Sequence, residues 1–472
     1  MENLNLQWRL LPTLTLLAAS LFLLVFKDSA KLSHSECSLL PYNQYWLTSK
    51  RIVTPKGVIS GAVEIKEGNI ISIVSEEDWP RNSKTGQVVD YGEAVIMPGL
   101  IDVHAHLDDP GRTEWEGFPS GTKAAAAGGI TTLIDMPLNS DPSTISTETL
   151  KLKVDAAEKR IYVDVGINDF PMTNASHIKE GLSVLARYKR PLLVHAEMEK
   201  GSERHVKLED DTLDTRSYST YLKTRPPSWE EAAIRELLTV AKDTRTDGPA
   251  EGAHLHIVHL SDASSSLDLL MEAKTNGDSI TVETCPHYLA FSAEEIPDGD
   301  TRFKCAPPIR DAANKEKLWE ALMDGHIDML SSDHSPTVPE LKLLDEGNFL
   351  KAWGGISSLQ FVLPVTWSYG RKYGVTLEQL ASWWSERPAK LAGQVSKGAI
   401  AIGNHADLVV WEPEAEFELD NDHPVHMKHP SISAYLGRRL SGKVLATISR
   451  GNLVYKEGNH APAACGSPIL AT

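Results

Sequence analysis

One run, Gly99-Leu-Ile-Asp-Val-His-Ala-His-Leu-Asp108, constrains this chain more than any other, because it is a strand-like, largely apolar run leading into two histidines one residue apart. Such a run reads as a buried β-strand. Side chains at i and i+2 leave a strand on the same side, so His104 and His106 direct two imidazoles at one point. Imidazole is a good ligand for Zn, Fe or Ni, and two converging rings can start a metal site. A metal-dependent hydrolase is the function this stretch suggests first.

Six more runs follow: Thr131-Thr-Leu-Ile-Asp-Met136, Ile161-Tyr-Val-Asp-Val165, Pro191-Leu-Leu-Val-His195, Leu255-His-Ile-Val-His259, Ile280-Thr-Val-Glu-Thr284 and Ile327-Asp-Met-Leu-Ser-Ser332. Amphipathic segments separate them. Leu150, Val154 and Ala157 share one helical face, and Ser228-Trp-Glu-Glu231 is a capping box leading into Ile234, Leu237 and Leu238. Strands alternating with helices predict an α/β fold with a parallel sheet, here a (β/α)8-type barrel over residues 98–396. Tilt and stagger tie barrel closure to strand number, and seven runs leave the barrel short of one βα unit.

Glycine-punctuated alternating strands flank this region, in Arg51-Ile-Val-Thr54, Gly57-Val-Ile-Ser-Gly-Ala-Val-Glu-Ile65 and Gly68-Asn-Ile-Ile-Ser-Ile-Val74 before it. The texture returns in Ala406-Asp-Leu-Val-Val-Trp411 and in residues 443–455. Residues 45–97 and 397–460 are expected to pair into a small β-sandwich domain, followed by a C-terminal tail over 461–472. Ahead of them, 1–36 reads as a signal peptide or signal anchor with its linker: Leu10 to Phe26 is apolar, preceded by Arg9 and closed by Lys27, Asp28 and Lys31. Routing to the endoplasmic reticulum follows from that layout, with a possible membrane anchor through Leu10 to Phe26. Asn174-Ala-Ser176 is a glycosylation sequon usable only there.

The chain has 472 residues, of which 41% are hydrophobic, enough for a large core. Its formal charge of -17 would repel nucleic acid. Four cysteines, Cys37, Cys285, Cys305 and Cys465, are too few for a disulfide framework and none is spaced for zinc, so buried or free thiols are expected.

In a β/α barrel the working residues stand at the C-terminal ends of strands. His104, His106, His195 and His259 each end or closely follow a run, and Asp333 follows the last one in Ser331-Ser-Asp-His-Ser-Pro336. These five form the candidate metal site, with Asp333 as candidate catalytic residue. By the period of two, His254 and His256 face away from His259 and are expected to be packing residues. His334 is a weaker candidate for a supporting role, and His423, His426 and His429 are expected on a surface or loop.

The run from Pro98 to His106, together with Val194-His-Ala-Glu197, Ile257-Val-His-Leu-Ser-Asp262, Cys285-Pro-His-Tyr288 and Ser332-Asp-His-Ser-Pro336, resembles the cyclic-amidohydrolase branch of the amidohydrolase superfamily. Residues 108–117 and Lys304-Cys-Ala-Pro-Pro-Ile-Arg-Asp311 narrow the resemblance to the allantoinase family, and the leader resembles that of its plant-type members. Where a dihydroorotase carries arginine two residues after the second histidine, Asp108 stands here. The resemblance implies a homo-oligomer acting on a small molecule, allantoin, with a pair of divalent metals, zinc by preference. His104, His106 and Asp333 would hold the inner ion, His195 and His259 the outer one, and a carboxylated lysine would bridge them. Asp333 would carry a proton from the nucleophile to the leaving nitrogen. A hydantoinase-like or dihydropyrimidinase-like ring hydrolase, and a non-catalytic relative that binds a partner, are the alternatives.

The bridging lysine is not found. Ile161-Tyr-Val-Asp-Val-Gly-Ile-Asn-Asp-Phe-Pro-Met172 runs from the third strand directly into the loop before the helix around Ile178, Leu182 and Leu185, so the strand that should bear the lysine is missing. Lys179 and Lys189 are expected to be solvated. Asp164 or Asp169 is the nearest source of a replacement oxygen. The expected consequence is impaired activity.

Overall fold

A computed structural model describes residues 34–79, 86–167, 174–188, 190–199, 213–243 and 254–470. The leader, Asp169 and Lys189 lie outside them. No helix among the described residues is long and apolar enough to cross a membrane.

The two ends of the chain meet in one nine-stranded sheet. Gln44–Thr54, Gly57–Lys66 and Asn69–Ser75 make an antiparallel meander. Val95–Pro98 joins it to Leu408–Glu418, and Arg439–Ser449, Asn452–Lys456 and Asn459–His460 continue the sheet. Alternation explains the assembly: Leu47, Val63, Ile65, Ile96, Leu408, Val410, Ala446 and Ile448 are buried together in one core.

Among the described residues seven strands then build the parallel part: β1 (Leu100–Ala105), β2 (Ile130–Asp135), β3 (Asp164–Ile167), β4 (Pro191–Val194), β5 (His254–Ile257), β6 (Ile280–Thr284) and β7 (Met329–Leu330). They are the seven read from the sequence. Helices follow them in alternation, including α1 (Phe118–Ala127) after β1, α2 (Thr147–Ala157) after β2 and α3 (Ala175–Tyr188) after β3. α2 starts where Ser146 and Thr149 cap each other's backbone N–H groups. β1, β2 and β3 pair in one sheet, and β4 to β7 in another. The halves join beside the ligands, where Ala105 bridges to His334 and Asp102 Oδ1 accepts from Ser332 N at 2.9 Å.

The seam lies between β3 and β4, which do not pair with each other. Instead β8 (Pro468–Ile469) runs parallel along the free edge of β3, with Pro468 opposite Val165 and Ile469 opposite Gly166. The C-terminal segment is therefore not a free tail. Ser467 N donates to Asp164 Oδ1 at 2.9 Å and Gly466 N to Ile161 O at 2.8 Å. A side chain at position 466 would meet Val163 O at 2.2 Å, so only glycine allows this approach.

Cys465 is disulfide-bonded to Cys37, which corrects the expectation of free thiols for this pair; Cys285 and Cys305 are the buried thiols. The bond ties the strand on the β3 edge to the start of the β domain. Asp164 is also corrected as a source of a ligand oxygen. It opens β3, at the end away from the histidines, and its buried Oδ2 takes Lys397 Nζ at 2.8 Å and Arg450 Nε at 2.6 Å.

Removing a native cross-link costs roughly 2–5 kcal/mol in small secreted domains. Cys465→Ser is expected to lower the melting temperature by on the order of 5 °C. Reductant should do the same to the unsubstituted chain and nothing to the variant; equal melting of both proteins under non-reducing conditions would contradict the cross-link's role.

Candidate metal centre

His104 lies in β1 and His106 just beyond it, both aimed inward by the strand's period of two. Asp333 follows β7 across a turn. Asp333 and His259 have φ of 43° and 40°, the left-handed region, which costs roughly 1–2 kcal/mol for residues with a Cβ. That strain is spent where the chain must turn a ligand-type side chain back into the barrel mouth.

Asp333 Oδ1 lies 3.4 Å from His104 Nε2 and 3.6 Å from His106 Nε2, and all three residues are buried. Donors bound tetrahedrally at 2.0–2.1 Å stand about 3.3 Å apart, so the trio already has the spacing a zinc-sized ion needs. Burial alone works against a charged imidazole, yet Asp333 and Glu283 on either side push His104 up to about 9. Burial likewise opposes the Asp333 carboxylate, but His104, aided by His106 and His259, holds it well below the usual range.

His195 and His259 reach the same cluster but bond each other, Nδ1 to Nε2, at 2.8 Å. The His259 ring lies 5.3 Å from that of His104. Burial, and His195 beside it, push His259 well down. His195 Nε2 is held by Glu197 Oε2 at 2.9 Å. Its side chain is 45% exposed, against 4% for His104 and 10% for His106 and Asp333. The difference follows from the fold, because His195 immediately follows β4, the strand bordering the seam. Lys179 is exposed on α3.

The network around the trio was not legible as function. Glu283 in β6 accepts from His104 Nδ1 at 2.9 Å, and its other oxygen lies 3.1 Å from His256 Nε2. His256 is thus no mere packing residue: instead of facing away from the cluster, its side chain shares Glu283 with His104. His254, with Ser279 and Thr281, does belong to packing between β5 and β6. His334 accepts from Ser358 N and Leu359 N at 3.0 and 3.3 Å, which fixes the loop after Asp333. His423, His426 and His429 stand on a loop. Cys285 and His287 form, with Asp333, a second group of ligand-type atoms within 4.8 Å of one another, and neither ring nitrogen of His287 has a hydrogen-bond partner. Asp108 is buried, and that burial, with Asp135 nearby, pushes its carboxyl up to about 9.

A parallel β/α assembly with His-x-His on its first strand and aspartate after its last defines a hydrolase of the amidohydrolase type. Residues 95–454 match the amidohydrolase family and residues 40–94 the allantoinase composite domain. The chain is 68% identical, over the whole of both sequences, to an allantoinase of Arabidopsis thaliana, and 59% identical to a probable allantoinase of Oryza sativa, over 98% of each. An allantoinase of Saccharomyces cerevisiae is 36% identical over 85% of this chain and 91% of its own. This chain belongs to the amidohydrolase family and, within it, to the allantoinases. Among solved structures, the L-hydantoinase (dihydropyrimidinase) of Arthrobacter aurescens superposes with a TM-score of 0.78 at 24% identity, covering 90% of this chain and 99% of that one, which establishes the shared fold.

Proposed function

We propose that this chain opens the ring of allantoin by hydrolysing its cyclic amide, giving allantoate, with a divalent metal held by His104, His106 and Asp333. The observation that carries the reading is the convergence of Asp333 Oδ1 on both Nε2 atoms at 3.4 and 3.6 Å, in a chain so close to named allantoinases. Two nitrogens and a carboxylate oxygen suit zinc. His195 and His259 are the residues that would hold a second ion. A metal bound here supplies Lewis acidity toward the amide carbonyl and lowers the pKa of water toward neutrality. Asp333, kept ionised by the imidazoles around it, is placed to accept the nucleophile's proton and hand it to the departing ring nitrogen.

The endoplasmic reticulum remains the proposed location. The apolar leader supports it, and so does the Cys37–Cys465 bond, since disulfides persist in oxidising compartments.

The test is allantoin hydrolysis by the purified chain before and after chelation and zinc return. Hydrolysis should vanish with the metal and come back with zinc. Metal uptake also has a sign: His104, pushed up to about 9, must release a proton before its Nε2 can bind, so affinity falls as pH drops, by up to tenfold per unit. Zinc retention should be about 100-fold weaker at pH 6 than at pH 8. Ring opening that survives complete metal removal would overturn the reading.

A further inference from the structure

We propose that Glu283 is the positioning residue of this metal centre, setting the orientation of His104 and the placement of His259 with one carboxylate. The inference rests on the metal-dependent reading above.

Glu283 is fully buried in β6, where an unpartnered carboxylate would cost several kcal/mol. Its partners are specific. Oε1 lies 2.9 Å from His104 Nδ1 and accepts from the backbone N–H of His259 at 3.3 Å, while Oε2 lies 3.1 Å from His256 Nε2. The chain of contacts continues outward, from His256 Nδ1 to Thr281 Oγ1 at 2.8 Å and from Thr281 Oγ1 to His254 Nε2 at 2.7 Å. One oxygen therefore ties a ligand-type residue on β1 to another just past β5.

The chemical consequence concerns the imidazole. A carboxylate on Nδ1 favours the tautomer with its proton there, which leaves the Nε2 lone pair facing His106 and Asp333. It also stops the ring from rotating and makes Nε2 a stronger donor. Groups in this relation to a metal-binding histidine are worth 10–100-fold in metal affinity. His256 is the brace on the far side: it satisfies the second oxygen, so Glu283 cannot turn away from His104.

The test uses the full chain with three substitutions, Glu283→Gln, Glu283→Ala and His256→Gln. Zinc affinity is measured by competition with a chromophoric chelator, the cobalt-loaded visible spectrum is recorded, and the metal-free proteins are melted. Glu283→Gln keeps the shape and an acceptor but loses the charge, so affinity should fall about 10-fold, and Glu283→Ala about 100-fold. His256→Gln should fall between the parent and Glu283→Gln. The cobalt bands should shift in both Glu283 variants, and kcat for allantoin should drop while KM holds. If the alanine variant does not fold, the two glutamine variants carry the test. Unchanged affinity and an unchanged cobalt spectrum would overturn the proposal, leaving Glu283 a purely structural group. So would losses of affinity that merely follow losses of metal-free melting temperature. A parent chain that takes up no zinc would overturn the metal-dependent reading itself, an outcome visible before any variant is made.

Discussion

Asp333→Asn is expected to lower kcat for allantoin by about 10³-fold, within the 10²–10⁴ range that a positioned acid–base group supplies. The substitution keeps size and one carbonyl oxygen, so the turn after β7 should survive, and circular dichroism and melting should match the parent. What it removes is the negative charge facing His104 Nε2 at 3.4 Å and His106 Nε2 at 3.6 Å, together with the only proton acceptor the mechanism uses. Because that charge is a main cause of the raised His104, the variant's His104 should titrate lower, observable as a shift of its imidazole resonance in the metal-free protein. Zinc should be held more weakly as well. A variant that keeps more than a tenth of the parental kcat would show that another group moves the proton.

The seven strands were legible because each is a short run dominated by branched apolar residues with few charges, the pattern of a strand covered on both faces. The histidines were legible by position, at strand ends. Other parts had no local sign. Glu283 stands in Ile280-Thr-Val-Glu-Thr284, where a charge in a short run reads as a strand margin; only the fold shows two imidazoles against it. Cys37 and Cys465 are 428 residues apart, beyond any spacing rule. Pro468–Ile469 is two residues long and begins with proline, the residue that sequence logic excludes from strands except at edges. It is an edge here, and it exists because β3 has a free side.

That free side leads to the second expectation. The alignment with the Arabidopsis allantoinase runs over 510 positions, 38 more than the 472 residues of this chain, and one βα unit of a barrel takes roughly 30. Inserting a βα unit between β3 and α3, where the sequence lacks the expected strand, is expected to raise kcat/KM for allantoin by at least about 10²-fold, which corresponds to roughly 2.7 kcal/mol of barrier. Three physical changes should accompany the gain. A strand between β3 and β4 would close the barrel, since both edges would then be paired. His195, 45% exposed beside the seam, would be walled in, and its contact with His259 would open into a second ion site, so zinc content should rise from about one to about two per chain. The new strand would also compete with Pro468–Ile469 for the edge of β3, so the amides of residues 466–470 should lose protection from hydrogen exchange while those of β4 gain it. Equal turnover with and without the insertion would mean that the strand borrowed from the C-terminus already closes the seam well enough for catalysis, and that His104, His106 and Asp333 suffice for it.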